Sequence, residues 1–128
     1  MAEAVKIAIV DDDRSMREAI KTLVETVGLR AEGFSSAEEF LSCQRAQDSE
    51  CLILDVRMPG MNGFELQRHL AKDNCRIPVI FMTAYDSETE RARAIEAGAI
   101  AFLQKPFSER DLFNALQSAL LTYRSGAV

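Results

Sequence analysis

Apolar residues gather into five short runs along the chain, VKIAIV (5–10), LRAEGF (29–34), CLILD (51–55), VIFMT (79–83) and AIAFL (99–103), each of strand length. The longer stretches between them carry apolar residues at helical spacing. Met16, Ile20, Leu23, Val24 and Val27 fall at offsets of 4, 7, 8 and 11, one face of a helix that Gly28 closes. Phe113, Leu116, Leu120 and Tyr123 repeat that pattern in the last segment. Ser36, Ser87 and Ser108 open the tetrads SAEE, SETE and SERD. Each places a hydroxyl acceptor at a helix N-cap and acids in the first turn, at the positive end of the helix dipole. The runs at 51–55 and 79–83 are continuously apolar rather than alternating, which predicts a parallel sheet covered on both faces by helices. The chain therefore reads as (βα)5, one domain over residues 1–124 with a tail or the start of a linker at 125–128.

Composition agrees with one domain, since 128 residues at 48% hydrophobic and 27% charged can bury a core without disulfides. No apolar run approaches the roughly 20 residues that cross a bilayer. The start, MAEAVKIAIVDDD, lacks a basic region followed by a long apolar core, so neither insertion nor secretion is expected. Cys43, Cys51 and Cys75 are odd in number and lack CxxC spacing, which argues for inert thiols in a reducing, cytoplasmic compartment. A net charge of −5 works against direct contact with nucleic-acid phosphates.

The remaining polar residues cluster at strand ends. In an open doubly wound sheet, ligands bind beyond the carboxyl ends of the strands, where strand order reverses. Asp11, Asp12 and Asp13 end the first strand, Asp55 the third and Thr83 the fourth, while Lys105 follows the fifth. A strand order of 2-1-3-4-5 makes the first and third neighbours, so the aspartate run and Asp55 converge. Unit charges about 4 Å apart repel by roughly 1 to 4 kcal/mol under partial screening, so such a cluster needs a cation. Hard oxygen ligands suit Mg²⁺ (or Mn²⁺). Pro59, Gly60 and Gly63 shape the loop after Asp55, and Lys105 precedes Pro106, where a cis peptide is accessible and would aim the ammonium back at the acids. A carboxylate, a divalent ion, a lysine and a hydroxyl suit phosphoryl transfer. Asp55 would attack as nucleophile while the ion and Lys105 neutralise phosphoryl oxygens.

In order, VDDD, LDVRMPGMNG, FMTA and FLQKPF resemble the motifs of the response-regulator receiver domain of two-component systems, over residues 6–121. The resemblance implies a flavodoxin-like sheet of order 2-1-3-4-5. It makes Asp55 the phosphorylated residue and assigns Asp11, Asp12, Asp55 and the main-chain carbonyl of Arg57 to the metal. Thr83 becomes the switch hydroxyl, Phe102 the switch aromatic and Lys105 the site lysine. The side chains of Arg57 and Tyr85, two residues beyond Asp55 and Thr83, are expected to flank the phosphoryl group and restrict attacking water.

The resemblance further implies a sensor histidine kinase as partner. The domain is then a phosphoacceptor that catalyses its own phosphotransfer and slow autodephosphorylation, rather than an enzyme acting on an outside substrate. Phosphorylation would alter the surface of the fourth helix, fifth strand and fifth helix and promote homodimerisation. The stretch KPFSERDLFNAL most resembles receivers of nitrogen-fixation-type transcriptional regulators, which dimerise and carry a LuxR-type DNA-binding output. A stand-alone receiver acting by protein contact is the alternative.

Other readings fit less well. A haloacid-dehalogenase-like phosphatase uses a first-strand aspartate as nucleophile, but needs threonine or valine at Ser15 and a late acidic pair absent from FLQKPF. A flavodoxin-like cofactor binder wants a Ser/Thr/Gly-rich phosphate loop where DDDRSM would repel phosphate. A degenerate receiver is disfavoured because no site residue is missing. Asp13 is left between the site and solvent, Phe102 packs in part whatever else it does, and His69 is expected on the surface of a helix.

Overall fold

The computed structural model describes residues 5–85 and 87–126, the side chains of 123–126 excepted, so the expected packing of Tyr123 lies outside the described residues. In chain order the elements are β1 (Lys6–Val10), α1 (Arg14–Thr26), β2 (Arg30–Phe34), α2 (Ala37–Ser42), a 3-10 turn (Gln44–Asp48), β3 (Cys51–Asp55), α3 (Gly63–Lys72), β4 (Val79–Thr83), α4 (Glu88–Glu96), β5 (Ala101–Gln104) and α5 (Glu109–Gly126). All strands pair in parallel in the order β2-β1-β3-β4-β5. The continuously apolar runs became the buried centre of the sheet, because β3 and β4 are buried at every position.

Side chains alternate across each strand, so β1 sends Ala8 and Val10 to one face and Ile7 and Ile9 to the other. On the first face Phe34, Phe40, Leu52, Leu54, Phe64 and Phe81 pack together. On the second, Ile20 and Val24 of α1 meet Ile53, Ile80, Leu112 and Leu116. Each fully buried side chain of this size contributes roughly 1.5–3 kcal/mol over leaving it in water. Cys51 lies within the second core, where burial pushes its thiol up to about 12.

The three serine caps form as expected. Oγ of Ser36, Ser87 and Ser108 accepts from the amides of Glu39, Glu90 and Asp111. Element boundaries differ more. β5 starts at Ala101 and runs to Gln104 instead of occupying 99–103, because the amide of Ala99 still donates to Ala94 O and closes α4 around Gly98. Gly98 sits at φ +83°, which glycine adopts without the Cβ clash that burdens other residues. β1 and β2 start one residue later than expected, and the 3-10 turn at Gln44–Asp48 had no signature in the apolar pattern. α5 continues to Gly126, and the remainder of the expected tail, 127–128, lies outside the described residues. Among the described residues no helix is long and apolar enough to cross a membrane.

Candidate functional site

Register assembles the site. Val10 pairs with Leu54, and Asp55 with Met82, so the polar residues that end β1, β3 and β4 emerge side by side at one rim. Asp11 is fully buried, Asp55 is 5% exposed and Asp12 is exposed, yet carboxylate oxygens of all three lie within 4.8 Å of one another. From beyond β5, Lys105 Nζ reaches Asp11 Oδ2 at 2.9 Å and Asp55 Oδ2 at 3.3 Å. The Lys105–Pro106 peptide is cis.

Backbone contacts hold these groups in place. Arg17 Nη1 donates to the main-chain oxygen of Asp11 at 2.7 Å. Its stem crosses Gly33, where a Cβ would come within 2.9 Å of Arg17 Cγ. After β3 the chain folds back so closely that a Cβ on Gly63 would sit 2.5 Å from Asp55 O. Asn62 and Glu65 form a reciprocal capping box that starts α3 at this point, and the amide of Met61 donates to Glu38 Oε2 at 3.2 Å.

The electrostatics are unbalanced. Burial and the neighbouring charge of Asp11 push Asp55 up to about 7, against the opposing pull of Lys105. For Lys105 burial works against the ammonium, but its hydrogen bond to Asp11 and the charges of Asp55 and Asp11 more than offset that and hold it above its ordinary value. Three carboxylates facing one ammonium leave excess negative charge on hard oxygen donors. This donor set fits a divalent ion of the Mg²⁺ type, which takes one or two carboxylates and keeps several waters.

The other expected residues take varied positions. Asp13 turns away from the cluster, and its Oδ1 caps α1 by accepting from the amides of Ser15 at 2.9 Å and Met16 at 3.3 Å. The amide of Arg57 donates to Asp55 Oδ1 at 3.3 Å. Its guanidinium instead pairs with Glu90, Nε and Nη2 each 3.0 Å from Oε2, and lies 4.0 Å over the Tyr85 ring. Thr83, fully buried, donates its hydroxyl hydrogen to Glu90 Oε1 at 3.3 Å and accepts from the amide of Tyr85 at 3.1 Å. Phe102 is half-buried against the first core with the Arg91 guanidinium 5.0 Å above its ring. His69 is exposed on α3.

Glu90, Arg17 and Glu38 were not foreseen as parts of this neighbourhood. Glu38 and Glu90 read in the sequence as first-turn acids of SAEE and SETE, and Glu90 also as part of the charged outer surface of the fourth helix, whereas it turns into the rim. Nothing local marks Arg17, and the partners of all three lie on other elements.

A doubly wound parallel sheet with a carboxylate cluster and a lysine at its switch point defines the class of molecule. The family model for the response regulator receiver domain matches residues 7–117, and the chain belongs to that family, the receiver domains of two-component systems. This supersedes the phosphatase and cofactor-binder readings. The response regulator protein TmoT of Ectopseudomonas mendocina is 47% identical over 114 residues, 89% of this chain and 52% of that protein. The solved structure of the response regulator StyR matches with TM-score 0.89 at 39% identity, covering 98% of this chain and 63% of that one. That of FixJ-N matches with TM-score 0.83 at 31% identity, covering 94% and 96% respectively. The chain spans about half the length of the curated relatives it matches.

Proposed function

We propose that this chain is a phosphorylation-activated signalling switch of the cytoplasm, in which Asp55 takes a phosphoryl group from a phosphohistidine of a sensor histidine kinase. The observation that carries the reading is the lysine bridge. Lys105 Nζ contacts both Asp11 and Asp55 at the mouth of a carboxylate cluster, so one carboxylate oxygen has a fixed cation beside it. That oxygen of Asp55 forms the new bond to phosphorus as the bond from phosphorus to the imidazole nitrogen breaks, and the departing imidazole takes up a proton. Lys105 neutralises charge on the transferring oxygens. Mg²⁺ or Mn²⁺ held by Asp11, Asp12, Asp55 and the Arg57 carbonyl supplies further positive charge there when bound.

Once Asp55 is phosphorylated, the Thr83 hydroxyl donates to a phosphoryl oxygen and the space it leaves accepts the Phe102 ring. Phe102 has no hydroxyl to strand, so it turns inward without losing a hydrogen bond. The two packings differ on the outer face of α4, β5 and α5, and phosphorylation shifts the population between them. Arg57 and Tyr85 flank the phosphoryl group and slow its hydrolysis by restricting water. Because FixJ and TdiR are named transcriptional regulatory proteins, the output assigned to the switch is transcription, acting through a DNA-binding domain outside this chain.

Acetyl phosphate with Mg²⁺ tests the central step. The wild-type chain is expected to gain one acid-stable, hydroxylamine-labile label, and Asp55→Asn to gain none. Stoichiometric labelling of Asp55→Asn would move the nucleophile to Asp11 or Asp12.

A further inference from the structure

Glu90 occupies the third position of α4 after the Ser87 cap, where a glutamate ordinarily reaches back to the cap amide. Glu65 does this on α3, its Oε1 accepting from the Asn62 amide at 3.0 Å. Glu90 carries the same local code, and the cap amide donation from Glu90 N to Ser87 Oγ is in place. Its carboxylate, however, is turned into the rim. Oε1 accepts the Thr83 hydroxyl at 3.3 Å, and Oε2 takes Nε and Nη2 of Arg57 at 3.0 Å each. The guanidinium is held in turn by the Tyr85 ring at 4.0 Å. The Glu90 side chain is 14% exposed and Thr83 is fully buried, while Arg57 at 54% and Tyr85 at 55% stand on the solvent side of the network.

We infer that Glu90 is a latch on the resting state, an internal acceptor that competes with the phosphoryl group for the Thr83 hydroxyl. This rests on the phosphoacceptor reading and adds a residue to it. A hydroxyl has one hydrogen to donate, so Thr83 cannot serve Glu90 and a phosphoryl oxygen together. The phosphoryl group must therefore displace an anionic acceptor whose position Arg57 fixes. Hydrogen bonds to charged groups are the stronger kind. The fraction of molecules with Thr83 free is lowered accordingly, and apparent affinity for any phosphoryl mimic falls by that fraction. Glu90 is a positioning residue acting through Thr83, with no contact to the reacting atoms of Asp55.

Beryllofluoride, a tetrahedral phosphoryl stand-in, tests this by calorimetric titration of the 128-residue chain with Mg²⁺ present. Glu90→Ala is expected to bind it severalfold more tightly than wild type, short of the full scale of a charge-assisted hydrogen bond because the Thr83–Glu90 contact is long at 3.3 Å. Glu90→Gln, which keeps an oxygen for Thr83 but loses the charge held by Arg57, should gain less, and it serves if Glu90→Ala folds poorly. The discriminating background is Thr83→Ala. There the latch is already gone, and adding Glu90→Ala should leave beryllofluoride affinity unchanged. An equal gain in both backgrounds would reduce Glu90 to simple charge repulsion and overturn the latch. No gain from either Glu90 variant, with wild type binding normally, would overturn it as well. Failure of wild type itself to bind would instead sink the phosphoacceptor reading, and the latch with it.

Discussion

At the scale of single residues, three consecutive aspartates with one charge each do three jobs. Asp11 is buried against Lys105, Asp12 is exposed yet within ligand distance of the cluster, and Asp13 caps α1. Their substitutions should therefore separate. Asp12→Ala is expected to weaken Mg²⁺ binding and slow phosphorylation without loss of stability. Asp13→Ala should leave Mg²⁺ affinity near wild type but cost about 1 kcal/mol, the usual loss on removing a helix N-cap. Mg²⁺ titration and urea unfolding of both variants check this, and equal loss of Mg²⁺ affinity would return Asp13 to the site. The residue types were legible in the sequence, since an acidic run ending an apolar strand is plain to see. Which of the three gather with Asp55 was legible only through the family resemblance, because it depends on where the backbone turns into α1.

At the scale of elements, the loop from β3 to α3 is the least forgiving part of the site. Asp55 O lies 2.5 Å from where a Cβ on Gly63 would be, a distance real Cβ atoms do not tolerate. Backbone rather than a flexible side chain stands there, so the loop itself must shift. Gly63→Ala is expected to destabilise the chain by roughly 1–3 kcal/mol, the scale of overpacking, and to slow labelling of Asp55 by moving its carbonyl. Thermal unfolding together with acetyl-phosphate kinetics would show both effects, whereas wild-type kinetics would mean the loop relaxes without disturbing Asp55. The glycine was visible in LDVRMPGMNG as a residue with unusual conformational freedom. Gly63 is needed for close approach, and only the packed loop reveals that, while Gly60 has the positive φ of 75°.

At the scale of the molecule, β5 is an edge strand beside α4 and α5, and an open strand edge is a natural docking surface. Arg91 and Arg93, with Glu88 and Glu96, give α4 an exposed mixed-sign surface, and Ile95 beside them is 68% exposed. Mixed charge around an apolar centre suits reciprocal pairing about a two-fold axis. Beryllofluoride with Mg²⁺ is expected to convert the chain from monomer to dimer in sedimentation velocity, and Thr83→Ala to suppress the shift. A beryllofluoride-bound wild type that stays monomeric at high concentration would favour a switch acting on a different partner.

Order of elements, their parallel pairing, the three serine caps and the gathering of Asp55, Thr83 and Lys105 at one rim of the sheet were determined by the sequence itself. Those features are written in local terms: apolar period, cap residues, and polar residues where strands end. Boundaries escaped where two elements share backbone hydrogen bonds, as Ala99 does in closing α4 when its apolar neighbours suggest strand. What the tertiary structure alone decided is how groups distant in sequence divide their partners. Arg17 reaches the Asp11 carbonyl, and the raised Asp55 comes from its burial beside Asp11. Glu65 and Glu90 show the limit most directly, for both stand third after a helix cap and only Glu65 returns to the cap. A side chain takes the strongest partner within reach, and for Glu90 those partners, Arg57 in the loop after β3 and Thr83 at the end of β4, come within reach only after the sheet has formed.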